Sequence, residues 1–164
     1  MTFAPRTWVV GEVVTAALMN QEIRDQFSSM FAAWTSYTPS WTAATTNPVL
    51  NNGTLTGAYM KIGRVCHVQF DLTTGSTTTY GSGAYSMSLP FAAASGMQQL
   101  VSLHAFLSQR FIGQGLISTG ASTVTMLFPA SGSVSNLSSA SPTVPFTWAN
   151  GAQLRGTLAY QTAS

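Results

Sequence analysis

Residues Ala58–Thr73 read AYMKIGRVCHVQFDLT, and the fold is decided there. From Cys66 onward the apolar side chains fall on every second residue. Cys66, Val68, Phe70 and Leu72 point one way, and His67, Gln69, Asp71 and Thr73 point the other. A period of two is that of a strand with one face buried. Ala58–Ile62 precedes it, and Gly63-Arg64 is a two-residue connection rich enough in backbone freedom for a tight turn. The pair predicts a β-hairpin.

The same alternation recurs further along the chain. Tyr85, Met87 and Leu89 alternate and stop at Pro90. Val101, Leu103, Ala105 and Leu107 give another strand. Val124, Met126 and Phe128 give a further one, ending at Pro129, and Leu154, Gly156, Leu158 and Tyr160 the last. The 100–107 strand differs from the others, because Leu100 and Phe106 make its second face apolar too. Such a strand needs cover on both sides, and a partner subunit is one way to supply it. Between the strands lie turn-rich segments: Asn51-Asn52-Gly53, Gly75–Gly83, Ser131–Ser141 and Asn150-Gly151. The glycines Gly113 and Gly115 read as turn material as well. Many short strands at this spacing predict a mainly β chain, a jelly-roll-like antiparallel β-sandwich.

The first 36 residues have another texture. Residues 1–14 read as an extended arm, with Pro5 blocking an early helix and Trp8, Val9 and Val10 needing cover. Thr15 is placed to cap one N-terminal α-helix running to about Trp34. Ile23, Phe27, Met30 and Trp34 are spaced 4-3-4, a single apolar stripe. Two arrangements satisfy that stripe: packing on the chain's own body, or a short self-associating bundle. Either way Trp8, Ile23, Phe27, Met30 and Trp34 are the candidate docking and oligomerisation residues. The expected division is therefore 1–36, arm and helix, and 37–164, β-sandwich.

Composition narrows the function. The 164 residues are 45% hydrophobic but only 6% charged, against about 25% in ordinary domains. Past Asp25 the charges are Lys61, Arg64, Asp71, Arg110 and Arg155 alone. The net charge of +2 comes from few acids rather than many bases. Six scattered cations cannot track a phosphate backbone, so no nucleic-acid partner is expected. No apolar run reaches the length of a membrane span, and the N-terminus lacks the pattern of a secretion signal. Assembly inside a cytoplasm without membrane insertion is the expectation. The single Cys66 excludes an internal disulfide.

Catalytic chemistry finds little to use. Asp71 is the one carboxylate past residue 25, so the β-region cannot build the carboxylate pair of a glycosidase. His67 and Asp71 share a strand face but stand about 13 Å apart at the rise of a strand. Adjacent Cys66 and His67 point to opposite faces and cannot share a metal. His104 sits in an apolar run, as a buried or interface histidine does. No enzyme activity, metal or cofactor is expected. A binding surface of hydroxyls and amides remains, with Thr79, Tyr80 and Ser82 in the Gly75–Gly83 loop as the candidate ligand contacts. The Ser131–Ser141 loop is a second candidate. Trp34, Trp41 and Trp148 read as core or subunit-interface anchors.

Two stretches carry a resemblance. PRTWVVGEVVTAALMNQEIRDQ, Pro5–Gln26, resembles the opening of small structural proteins in tailed phages of actinobacteria. The stretch from Tyr37 to Pro90 resembles the β-module of phage minor tail and fibre-like proteins. There a Trp-Thr segment (Trp41-Thr42) precedes an Asn-Gly-Thr-Leu turn (Asn52–Leu55). A Tyr-x-x-Ile-Gly-Arg hairpin (Tyr59–Arg64) and a Gly-rich loop follow. The resemblance implies a homotrimeric virion protein that contacts other virion proteins and a host cell-surface glycan. A capsid decoration or cementing trimer is the alternative with the same fold. A cell-wall glycan-degrading enzyme is a third reading, opposed by the scarcity of carboxylates.

Overall fold

The computed structural model describes residues 6–130 and 136–163. Pro5 and the first five residues of the Ser131–Ser141 loop lie outside the described residues. The chain is mainly β. Ten strands follow the helical segment: β1 (Thr35–Tyr37), β2 (Trp41–Ala43), β3 (Thr54–Ile62), β4 (Val65–Thr73), β5 (Tyr85–Ser88), β6 (Gln99–Phe106), β7 (Arg110–Ile117), β8 (Thr123–Pro129), β9 (Leu137–Ser139) and β10 (Gln153–Gln161). All pairings are antiparallel, in the order β1-β3-β4-β10-β6-β7-β8-β5-β2, with β9 beside β8.

The hairpin read from Ala58–Thr73 is present, longer by four residues at its start. Ile62 pairs with Val65 across a two-residue turn, and Gly63 sits at φ 58°, the left-handed region open to glycine. The alternation in β4 and β10 falls as the sequence dictates. Cys66, Val68, Phe70, Leu72, Leu154, Leu158 and Tyr160 are buried, and their neighbours face outward. β10 pairs with β4 on one side and β6 on the other, so the C-terminal strand lies at the centre of the sheet.

Hydrogen bonding runs through the sheet without a break, yet β2, β4, β5, β6, β8 and β10 all contribute to one buried cluster. The sheet therefore curls until its two halves face each other over that core. Glycines permit the curl. Read across the strands, one inward row runs Tyr37, Gly57, Phe70, Gly156, Leu103, Gly113. Rings lie over the bare positions: Tyr37 over Gly57, Phe70 over Gly156, Phe128 over Gly113. A Cβ on Gly115 would come 2.5 Å from both Val101 and Val124. An aromatic ring covering a strand glycine restores the packing the glycine lacks. Gly113 and Gly115 are thus interior strand residues, not the turn expected of them. Their small size read as a turn signal because the side chains that fill the space, Phe128 at Gly113 and Val101 and Val124 at Gly115, come from other strands.

The helical segment also departs from expectation. Thr15 caps it as predicted, its hydroxyl accepting from the Leu18 N–H at 3.3 Å. The segment runs as α1 (Ala16–Met19), a π-helical turn (Asn20–Arg24) and α2 (Asp25–Met30). It stops at Met30, so Trp34 is not on the helix and the stripe keeps only Ile23, Phe27 and Met30. The competing demand is tertiary. Thr35 and Ser36 pair with Tyr59 and Ala58, which needs extended backbone and draws the sheet's start ahead of residue 37.

Candidate functional site

Three regions merit consideration, and the first is the loop end of the sheet. The segment 44–53 and the segment 74–84 are knitted together by backbone bonds. Val49 and Thr79 exchange N–H···O bonds of 2.9 Å, and Ser82 bonds Thr46 in both directions. Side chains complete the knit. Asn52 Oδ1 accepts from the Thr77 N–H (3.0 Å) and hydroxyl (2.7 Å), and its Nδ2 donates to Ser76 Oγ. Asn51, in the left-handed region at φ 49°, donates to the Thr77 carbonyl at 2.6 Å. Thr78 Oγ1 donates to Leu50 O, and Thr74 Oγ1 to Ala149 O, tying in the 149–152 turn. Gly75 and Gly81 are required here, since a Cβ on Gly75 would strike Asn52 and one on Gly81 would strike Thr46 and lie 2.8 Å from Pro48 N.

The three expected contact residues occupy different settings. Thr79 is exposed. Ser82 is half-buried. Tyr80 is also half-buried and packs against the core, its carbonyl accepting from Tyr85 Oη at 2.6 Å. The exposed polar residues of these two segments are Thr45, Thr46, Asn47, Asn51, Asn52, Ser76, Thr77 and Thr79. Of these only Thr79 was named as a candidate contact, and Ser76 and Thr77 lie within the expected Gly75–Gly83 loop. The Asn-Asn-Gly turn was visible in sequence, but its partners lie about two dozen residues away. A loop held by this many bonds presents its hydroxyls and amides in a fixed arrangement, which lowers the ordering cost of binding.

The second region is the outward face of β3, β4 and β10. Arg155 Nε donates to Asp71 Oδ2 at 2.8 Å, a cross-strand pair in which both side chains are about half exposed. They border an open groove of about 520 Å³ with Gln69, Thr157, Thr56 and Ser36. Asp71 thus spends its contact on a guanidinium, and His67 stands two outward positions along the strand. His104 lies beside Arg110, 3.5 Å between nitrogens. Among the described residues no three His, Cys, Asp or Glu side chains converge. The groups whose acidity is altered are interior. Burial pushes the Tyr37, Tyr85 and Tyr160 hydroxyls and the Cys66 thiol upward. All four are held neutral as packing groups.

The third region is the arm and helix. In the isolated chain Phe27 is 59% exposed, and Trp8, Ile23, Met30 and Trp34 are all above two-fifths. α2 lies near β3, leaving a cavity of about 390 Å³ bordered by Asp25, Ser28, Tyr59, Lys61 and Phe91. The structure brings Ile23, Phe27 and Met30 onto one short helical segment, with Trp34 after it and Trp8 before it, where a turn closed by the Glu12 N–H on the Val9 carbonyl at 3.1 Å breaks the extended arm expected over residues 1–14. No helix among the described residues is long and apolar enough to cross a membrane.

The chain is similar to the Mu-like prophage FluMu defective tail fiber protein of Haemophilus influenzae, 30% identical over 129 residues. That match covers 76% of this chain and 20% of the relative, so the chain corresponds to a fifth of that protein's length. The similarity lends no support to the actinobacterial setting that the phage resemblance carried. No family model matches, and no solved structure matches.

Proposed function

We propose that this chain is a non-enzymatic structural part of a phage tail, of the tail-fibre kind, working as a homotrimer in the virion. The carrying observation is the similarity to a tail fibre protein over 76% of the chain. In this reading the arm and helix dock to sister subunits and to other virion proteins, and the β-body displays its loop end to a host cell-surface glycan. The surface suits that role. Neutral hydroxyls and amides make hydrogen bonds that salt screens little. Three copies side by side raise weak single-site binding by about 10²–10⁴ where geometry allows.

Immunogold labelling of particles tests the placement: label at the tail supports it, and label confined to the head overturns it. Light scattering on the purified chain tests the copy number, with a mass of three chains expected. Sedimentation with bacterial envelopes tests attachment. Loss of binding after periodate oxidation of the envelopes supports a glycan, and binding that survives it removes the glycan from the reading.

A further inference from the structure

The loop end carries no ionic group of its own. Segments 44–53 and 74–84 contain no Asp, Glu, Lys or Arg. What they expose is hydroxyls and amides, together with Val49, 53% exposed and bridged to Thr79. The knit does not use every group. The Thr46 and Thr79 hydroxyls have no partner among the described residues. Asn47 accepts from the Ala43 N–H through Oδ1 and keeps its Nδ2 open, and Asn51 donates through Nδ2 and keeps its Oδ1 open. Tyr80 is the single aromatic residue of the two segments, and it packs on the core. Contact here therefore runs through hydrogen bonds and the Val49 methyls rather than a stacked ring.

The charges of the β-body also leave this end neutral. Lys61 and Arg64 lie at the turn end of the β3–β4 hairpin, roughly 25 Å along the strands from Thr73. Asp71 and Arg155 are nearer but paired with each other at 2.8 Å. Arg110 stands three strands away in the row Thr73, Gln153, Phe106, Arg110, about 14 Å along the sheet. Charges that far off lie beyond the screening length of about 8 Å at physiological salt.

We infer that the loop end takes an uncharged glycan, held at Thr46, Asn47, Val49, Asn51 and Thr79. This rests on the attachment reading above and names the class of saccharide that the surface selects. A sugar hydroxyl exchanges bonds to water for bonds to these open groups. A carboxylate or phosphate on the glycan gives up hydration there with no cation to replace it. The same surface thus discriminates against acidic glycans.

The test places opposite charges at one position. The full-length chain and its Thr79→Lys and Thr79→Glu variants are sedimented with a panel of bacterial envelopes at low and at high salt. Binding by the unsubstituted chain is expected to change by less than about twofold between the two salts. Both variants are expected to weaken it alike, by about tenfold, the loss of roughly one hydrogen bond. Tighter binding by Thr79→Lys with weaker binding by Thr79→Glu reveals an acidic ligand. So does a fall of about tenfold at high salt in the unsubstituted chain. Either result overturns the inference and leaves the attachment reading standing. Unchanged binding by both variants takes Thr79 out of the site and overturns it equally. Binding by the unsubstituted chain to none of the envelopes overturns the attachment reading as well. Thr79 is exposed, so melting temperatures are expected to hold. Where one falls, Val49→Lys and Val49→Glu repeat the comparison at its bridge partner.

Discussion

Residues 6–34 and residues 35–163 obey opposite rules for apolar side chains. Eleven large apolar residues between Trp8 and Trp34 are exposed, against six in all the described chain beyond. Among the described residues the buried hydrophobic core begins at Trp41. The β-body closes its own core around rings laid over glycines. The described N-terminal residues have a cap, ion pairs between Arg6 and Glu12 and between Arg24 and Asp25, and no buried residue before Thr35. A short helix of this length is marginal alone in water. The difference teaches that one region carries the fold and the other leaves its large apolar side chains exposed in the single chain.

Substitution in the body is the strongest way to break that contrast. Leu158 is fully buried on the central strand, and Leu158→Ala is expected to cost about 2–5 kcal/mol. Gly156→Val drives a branched side chain into the Phe70 ring, at a cost of about 1–3 kcal/mol or more. Urea denaturation read by tryptophan fluorescence measures both. A cost below about 1 kcal/mol for Leu158→Ala would mean that the core is looser than its burial indicates.

Alkali probes the same core without mutation. Tyr37, Tyr85 and Tyr160 are raised above the ordinary tyrosine value of 10.0 by burial. The folded state therefore keeps protons that the unfolded chain has lost above about pH 10. Their contribution is intact below that pH and falls as pH climbs past it. The expected record is a tyrosinate absorbance step that coincides with loss of structure. Early, reversible ionisation of all five tyrosines in the folded protein would contradict it.

The loop end is a smaller case. Asn52→Ala removes three hydrogen bonds at an exposed site, for an expected loss of about 1–2 kcal/mol once water has replaced them. Asn52→Asp keeps the acceptor for Thr77 and loses only the donor to Ser76, so it should cost less. Thermal melts rank the two, and equal losses would show that Thr77 is not what Asn52 holds.

The contrast also explains what was legible in the sequence. Strands with one face buried declare themselves by alternation, so β4 and β10 were readable residue by residue. β7 was not, because Gly113 and Gly115 take their packing partners from β8 and β6. β1 and β2, three residues each, are too short to show a period. The helix end at Met30 is set by the pairing of Thr35 with Tyr59, a long-range event that local spacing cannot register. The loop knit is hidden for the same reason. The Gly75–Gly83 loop stands out by composition, whereas the bond from Asn52 to Thr77 spans 25 residues.

The N-terminal segment should answer mutation least in the chain's own stability and most in assembly. Phe27 touches solvent over more than half its surface, so Phe27→Ala removes little that folding of one chain had buried. Its expected effect on the urea midpoint is under about 0.5 kcal/mol, the range of ordinary surface changes. If Phe27 is covered by a second copy, the same truncation takes away a buried ring at every subunit contact. Association should then weaken by roughly tenfold or more, since 1.4 kcal/mol is a factor of ten. Sedimentation over a dilution series separates the two quantities. A large loss of monomer stability with unchanged association would place the ring inside its own chain's fold, and the division between a self-sufficient body and a dependent leader would disappear.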